Sequence, residues 1–148
     1  MRRGRSGDLR KEHVMRAVLL ALGILCFSVV ALSFAAAPGG QIARGDYVVN
    51  GVAMCAQCHT PRDASGDLDR TRPLRGAPIP LRSPFAGQPW AVAAPAIAGL
   101  PGWSTEDATA LLTTGRRLSG QAPRGPMPPF RMTREEAEAV ILYLRSVR

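Results

Sequence analysis

The chain has 148 residues, enough for one small domain, and its formal net charge is +8. Much of that charge precedes residue 38, because from there to the end 13 arginines face 9 acidic residues. So small an excess does not support an extended nucleic-acid-binding surface, and we predict no nucleic-acid partner.

The N-terminus combines a basic flank with a long apolar run. Residues 1–16 carry six basic and two acidic side chains, whereas residues 17–37 carry no charge. A membrane-spanning helix needs roughly 20 residues, so a run of this length predicts a transmembrane anchor or an uncleaved signal segment. Because a basic flank stays in the cytoplasm, we expect everything after about residue 38 to be exported.

A cleaved signal peptide is the alternative interpretation of the same segment. Ser33 and Ala35 are small residues at the two positions that a signal peptidase inspects, and Pro38 would end the helix nearby. The prediction is therefore a domain anchored at the inner membrane on its periplasmic side, or a soluble periplasmic domain after cleavage. Cys26, inside the apolar run, is interpreted as a small buried hydrophobic residue.

The exported part is predicted to be a small all-α domain of about three to five helices. A linker at residues 38–42 leads into the domain at residues 43–148, and a first short helix is predicted over residues 42–52. Its apolar face would consist of Tyr47, Val48, Val49 and Val52. Residues 60–101 are rich in proline and glycine and predict a long loop without strands. A loop of that length needs a surface to pack against, such as a large apolar cofactor.

Two further helices have recognisable end signals. Ser104 and Asp107 predict the start of one helix, and Gly115 predicts its end. Thr133 and Glu136 predict a capping box at the start of the last helix. The apolar positions of that last helix and its entry are Met132, Ala137, Val140, Ile141, Tyr143, Leu144 and Val147.

Residues 55–59 read Cys-Ala-Gln-Cys-His, the spacing by which two thiols bind the vinyl groups of haem covalently. Cys55 and Cys58 would share one face of a helical turn, and the adjacent His59 would ligate the iron. Zinc, a redox-active pair and a structural disulfide are the alternatives. Zinc takes four ligands, but the exported part has no second cysteine pair and no histidine besides His59. We therefore predict one covalent haem c with its iron.

A closed electron-transfer site needs a second axial ligand, and three exported methionines are candidates. Met54 abuts the attachment motif and is interpreted as local packing, while Met132 belongs to the entry of the last helix. Met127 lies between Pro126 and Pro128, which hold the backbone extended and could present one thioether at a fixed position. Met127 is therefore the predicted ligand, with a role as an apolar plug as the alternative.

These motifs together resemble class I c-type cytochromes, in particular the single-haem domains in cytochrome subunits of membrane-associated bacterial dehydrogenases. The matching segments are Gly45 with Tyr47 and residues 55–62, 95–103, 114–116, 126–130 and 139–144. The resemblance implies a small cytochrome c fold with His59 as proximal and Met127 as distal ligand. It also implies that the first and last helices cross, with Gly45 allowing Tyr143 or its neighbours to approach closely.

The functional hypothesis is a one-electron carrier with His/Met ligation, not an enzyme in its own right, in a periplasmic or membrane-associated respiratory chain. The predicted partners are a dehydrogenase, a quinol-oxidising complex or a terminal oxidase, together with the membrane through the N-terminal helix. The sequence does not separate a free-standing carrier from a relay subunit of a larger oxidoreductase, although a retained anchor would favour the subunit. A haem enzyme or gas-binding sensor is the alternative, and it requires an open iron position that a ligating Met127 would close.

Five more side chains are candidates for contact with the haem propionates. Trp90 and Trp103 could each donate an indole N–H, although a core or lid role is the favoured interpretation. Arg62, Arg75 and Arg82 could pair with propionates, with ordinary solvated surface charge as the alternative.

Overall fold

The computed structural model describes residues 13–16, 18–20 and 38–148. The chain divides into two compact units, Met1–Ala37 and Pro38–Arg148. In the first unit the described residues are helical, with exposed side chains. Over the described ranges, no helix combines the length and the apolar character needed to cross a bilayer. The predicted anchor at residues 17–37 lies outside the described residues except for 18–20, so it stays a prediction.

Residues 38–148 form a mostly helical unit, with four α-helices, one π-helical turn and long loops. This agrees with the predicted domain of three to five helices. In chain order the elements are α1 (Pro38–Tyr47), the π-helical turn (Val48–Val52), α2 (Ala56–His59), β1 (Ala77–Pro78), β2 (Ala93–Ala94), α3 (Thr105–Thr114) and α4 (Arg134–Ser146).

Two short strands lie in the long loop where none was predicted. β1 pairs with β2 in antiparallel fashion, with Ala77 opposite Ala94 and Pro78 opposite Ala93. That prediction is wrong because a strand of two residues is too short to show the alternating pattern by which strands are recognised.

The first helical region differs from its prediction in both extent and orientation. α1 already includes residues 38–41, which the sequence predicts to be a linker. Val48 and Val49 are buried as predicted, but Tyr47 and Val52 are 58% and 60% exposed. The predicted face assumed an unbroken α-helical period, whereas the chain widens into a π-helical turn after Tyr47 and changes the register of the side chains.

The predicted ends of the two later helices are confirmed. Ser104 Oγ accepts a hydrogen bond from the Asp107 backbone N–H at 3.0 Å, and Gly115 ends α3 in the left-handed conformation. In the capping box, Thr133 Oγ1 accepts from the Glu136 N–H, and Glu136 Oε2 accepts from the Thr133 N–H, both at 3.2 Å. These bonds satisfy backbone donors that would otherwise have no partner within the helix.

Helices α1 and α4 make the most extensive helix–helix contact of the unit. At their closest approach, a Cβ added to Gly45 would lie 2.6 Å from the Ala139 carbonyl carbon and 2.7 Å from Tyr143 Cβ. The implied crossing of the first and last helices at Gly45 is therefore confirmed. The buried core around it comprises Val48, Val49, Leu74, Ala98, Leu100, Ala108, Leu112, Ala137, Val140, Ile141 and Leu144.

Candidate functional site

The Cys-Ala-Gln-Cys-His segment forms the short helix α2 at the end of the π-helical turn. Cys55 is half-buried at its N-cap, and its N–H donates to the Val49 carbonyl at 2.8 Å. Cys58 is exposed one helical turn later, and the His59 N–H donates to the Cys55 carbonyl at 2.9 Å. No disulfide joins Cys55 and Cys58.

His59, the last residue of α2, has a buried imidazole with one defined partner. Its side chain is held by the Pro95 carbonyl oxygen, 2.7 Å from Nδ1. A carbonyl oxygen can only accept a hydrogen bond, so Nδ1 carries the proton and Nε2 keeps its lone pair. Burial lowers the pKa of His59, and the bond to Pro95 acts in the opposite direction. The imidazole is thus prepared as a neutral ligand through Nε2.

The backbone on either side of the imidazole is held as well. The Gly76 N–H donates to the His59 carbonyl at 2.7 Å, and the Leu74 N–H donates to Thr60 Oγ1 at 2.9 Å. Thr60 is only 4% exposed, so its hydroxyl forms a buried hydrogen bond that holds the long loop in place. The long loop is thus hydrogen-bonded to the end of α2 at two points in addition to the Pro95 contact.

Burial also affects the first thiol of the motif. It raises the pKa of Cys55 to about 11, and the neighbouring Cys58 adds to the rise. Before haem attachment, Cys55 is therefore a thiol and not a thiolate at neutral pH. Two free thiols and a neutral imidazole within five residues are the donor set that covalent haem attachment requires, so the residues present fit the group.

Met127 lies in the loop between α3 and α4 and is half-buried. It lines a cavity of about 300 Å³ together with Thr114, Gly115, Arg116, Ala122, Pro123, Pro129 and Arg131. Neither the two cysteines nor the histidine of the motif is among these lining residues. The structure brings the attachment motif together and leaves Met127 on a separate loop, so its ligation stays a prediction.

The other two methionines occupy positions that agree with their interpretation. Met54 is 52% exposed beside the motif. Met132 packs against the hydrophobic core, and its N–H donates to the Leu112 carbonyl at 3.1 Å.

The two tryptophans support the structural interpretation. Trp90 Nε1 donates to the Leu81 carbonyl at 2.9 Å, so its N–H is already used. Trp103 packs against the core, and the Arg117 guanidinium lies 4.3 Å from the centre of its ring.

The three candidate arginines lie at the surface. Arg62 donates to the Gly66 carbonyl at 2.8 Å, which ties it to its own turn. Arg75 and Arg82 are exposed. Pairing of these arginines with propionates stays a prediction.

Sequence reasoning missed the partner of His59. Pro95 lies 36 residues further along the chain and contributes a backbone oxygen, which every residue type possesses. The family resemblance marks the segment that begins at Pro95, but it does not show which backbone oxygen accepts the bond.

Comparison with known proteins agrees with the donor set. The family model described as Cytochrome c matches residues 42–148. The chain is 33% identical over 147 residues to the cytochrome c subunit of alcohol dehydrogenase (quinone) from Gluconacetobacter polyoxogenes, an alignment that covers 85% of this chain and 29% of that protein. The corresponding subunit from Komagataeibacter europaeus gives the same figures.

A third relative is the fructose dehydrogenase cytochrome subunit from Gluconobacter japonicus, 31% identical over 112 residues, with 70% of this chain and 21% of that protein covered. The chain thus spans less than a third of the length of each of these relatives. The attachment motif, its buried histidine and the match over residues 42–148 lead to one conclusion: the chain belongs to the cytochrome c family, whose cofactor is a covalently bound haem c with its iron.

Proposed function

We propose that this protein is a one-electron carrier whose haem iron is ligated by His59 and Met127. The observation that carries the proposal is the 2.7 Å hydrogen bond between His59 Nδ1 and the Pro95 carbonyl. It fixes the tautomer and the ring orientation of the one histidine in residues 38–148, and a partner of this kind raises the basicity of the ligating nitrogen.

The attachment residues have complementary tasks. Cys55 and Cys58, one turn apart on α2, bind the cofactor at two points, while the buried His59 directs Nε2 at the iron. When bound, the haem supplies an iron that changes reversibly by one electron. The residues around the haem hold it in place, and none of them has to transfer a proton.

Met127 is proposed as the distal ligand by elimination and by its surroundings. Of the three methionines in residues 38–148, Met54 is largely exposed and Met132 is part of the core packing. Met127 remains, half-buried in a segment stiffened by three prolines. A thioether opposite an imidazole favours the reduced iron and raises the potential.

Closure of both axial positions would leave no site for substrate at the iron. With His59 bound to iron, no histidine remains in residues 38–148 for acid–base catalysis. The protein would then be an electron carrier and not an enzyme in its own right.

The proposed partner is a dehydrogenase, with a quinol-oxidising complex or a terminal oxidase as the other end of the electron path. The relatives are named as cytochrome subunits of alcohol and fructose dehydrogenases, which supports a partner of that class. The basic residues 1–16 and the uncharged residues 17–37 support an inner-membrane anchor with the haem domain in the periplasm.

The test is a visible spectrum of the oxidised holoprotein, produced with a haem-attachment system. We expect the wild type to show the long-wavelength sulfur-to-iron charge-transfer band and Met127→Leu to lose it. Leucine keeps the side-chain volume but removes the sulfur. The midpoint potential should fall in the same variant, because the thioether favours the reduced iron.

Met54→Leu is the matched control, since it makes the same chemical change at an exposed position and should retain the band. Absence of the band from the wild type, or its persistence in Met127→Leu, would contradict the proposed ligation.

A further inference from the structure

One short segment, residues 90–95, contacts both of the regions that carry the axial ligands. At its C-terminal end, the Pro95 carbonyl accepts the hydrogen bond from His59 Nδ1 at 2.7 Å. At its N-terminal end, the Ala91 N–H donates to the Gly125 carbonyl at 2.8 Å, and Trp90 pairs with Gly125 in a parallel bridge. Gly125 precedes Met127 by only two residues.

The segment between these ends is itself held. Its middle residues, Ala93–Ala94, form β2, which pairs with β1. The Val92 carbonyl accepts from the Ile79 N–H at 2.9 Å, and the Trp90 indole N–H donates to the Leu81 carbonyl at the same distance. These backbone bonds, together with the bond from the Trp90 side chain, hold the segment in place, so a displacement at one end would be passed on to the other.

The contact between Trp90 and Gly125 leaves no free space. A Cβ added at Gly125 would lie 2.5 Å from Trp90 Cζ3 and 2.6 Å from Cε3. Carbon atoms at van der Waals contact are separated by about 3.5 Å or more. The absence of a side chain at Gly125 therefore sets how closely the Met127 segment approaches residues 90–95.

We propose that residues 90–95 act as a spacer that sets the position of Met127 relative to His59, with Trp90 and Gly125 as positioning residues. This proposal rests on the proposed ligation by Met127. A neutral thioether is a weak ligand, so its distance from the iron depends on how firmly its own segment is held. The spacer supplies that restraint without touching the iron.

The test is Gly125→Ala. We expect a weaker or absent sulfur-to-iron band and a lower midpoint potential, because the new methyl group must push the Met127 segment away from Trp90. Gly40→Ala is the matched control: a Cβ there meets nothing within 4 Å, so band and potential should stay as in the wild type.

A double-mutant cycle separates positioning from general damage. In the Trp90→Leu background the ring that meets the new methyl is gone, so adding Gly125→Ala should shift the potential much less than it does in the wild type. Trp90→Leu alone should weaken the band, and Trp90→Phe, which keeps a ring, should largely retain it. Thermal unfolding of each holoprotein shows whether the spectral change exceeds the loss of stability.

The spacer proposal is overturned if Trp90→Leu leaves the band and potential of the wild type unchanged, or if Gly125→Ala shifts the potential equally in both backgrounds. In either case Met127→Leu would still lose the band, and the proposed function would stand. A wild type without the band would overturn the proposed ligation itself and the spacer proposal with it.

Discussion

His59 shows how differently the parts of a site are encoded. Its identity as a ligand follows from two cysteines at the preceding positions of a five-residue motif. Its tautomer follows from the Pro95 carbonyl, 36 residues away, and nothing in the residue types predicts that contact. The sequence therefore predicts the ligand residue, while the structure determines which ring nitrogen is left for the iron.

Asp107 is a second residue, and it makes more contacts in the structure than the sequence predicts. Besides the predicted cap contact at the start of α3, its carboxylate accepts from Arg117 Nε at 2.7 Å and from the Leu118 N–H at 2.9 Å. Arg117 in turn stacks on Trp103. These bonds tie the beginning of the loop after α3 back to the first turn of that helix.

Asp107→Asn should lower the free energy of unfolding at neutral pH. The bonds from Arg117 and Leu118 hold the pKa of Asp107 below its ordinary value of 3.8. A depressed carboxyl pKa contributes stability above the unfolded value, and that contribution is lost as the pH falls through the folded value. The difference between variant and wild type should therefore shrink below pH 3.8.

Urea unfolding of the holoprotein at several pH values measures this difference. Glu138→Gln, a similar charge removal at an exposed position on α4, is the control. The loss of unfolding free energy in Asp107→Asn could instead stay constant down to the most acidic condition. That result would show that the ionised carboxylate is not its cause.

At the scale of elements, the contact of α1 with α4 depends on one buried glycine. Gly45 lets the two backbones approach, and two polar contacts flank the crossing: Arg44 pairs with Glu136 at 3.1 Å, and Asn50 donates to Tyr143 Oη at 2.9 Å. The ion pair is half-exposed, so we expect little stability from it. Close packing at Gly45 should dominate.

Gly45→Ala should destabilise the protein by about 1–3 kcal/mol, the typical cost of overpacking. Helix propensity alone predicts that Gly45→Ala stabilises the protein, because alanine is favoured over glycine by about 1 kcal/mol within a helix. Gly40→Ala in the same helix has open space around it and should be neutral or stabilising. Thermal unfolding of both holoproteins decides between packing and propensity, and a stabilised Gly45→Ala would refute the close approach.

The helix ends and the strands differ in how far the sequence predicts them. The caps at Ser104, Gly115 and Thr133 depend on residues within a few positions, so local patterns identify them. The pairing of β1 with β2 joins residues in the middle of a long loop, and the π-helical turn interrupts a regular helix. The strand pairing depends on contacts distant in sequence, and the π-helical turn breaks the regular period by which helices are recognised.

At the scale of the whole molecule, the uncharged N-terminal segment is the basis of the proposed membrane anchor. We expect the full chain to remain in the membrane pellet after carbonate washing, because residues 17–37 are uncharged and long enough to span a bilayer. Protease added to the periplasmic side should digest the haem domain. A haem protein recovered from the soluble periplasmic fraction, with an intact mass that lacks the N-terminal segment, would instead support the cleaved signal peptide.

The sequence by itself determined the haem-attachment motif, both ends of α3, the start of α4 and the crossing glycine, because each depends on residue type at short spacing or on a family motif. Only the tertiary structure decided which carbonyl holds His59 and how residues 90–95 join the histidine to the Met127 segment. Those contacts depend on backbone carbonyls, and they require that Gly125 has no side chain. Backbone atoms are common to all residues, so their partners become visible only when the chain is folded.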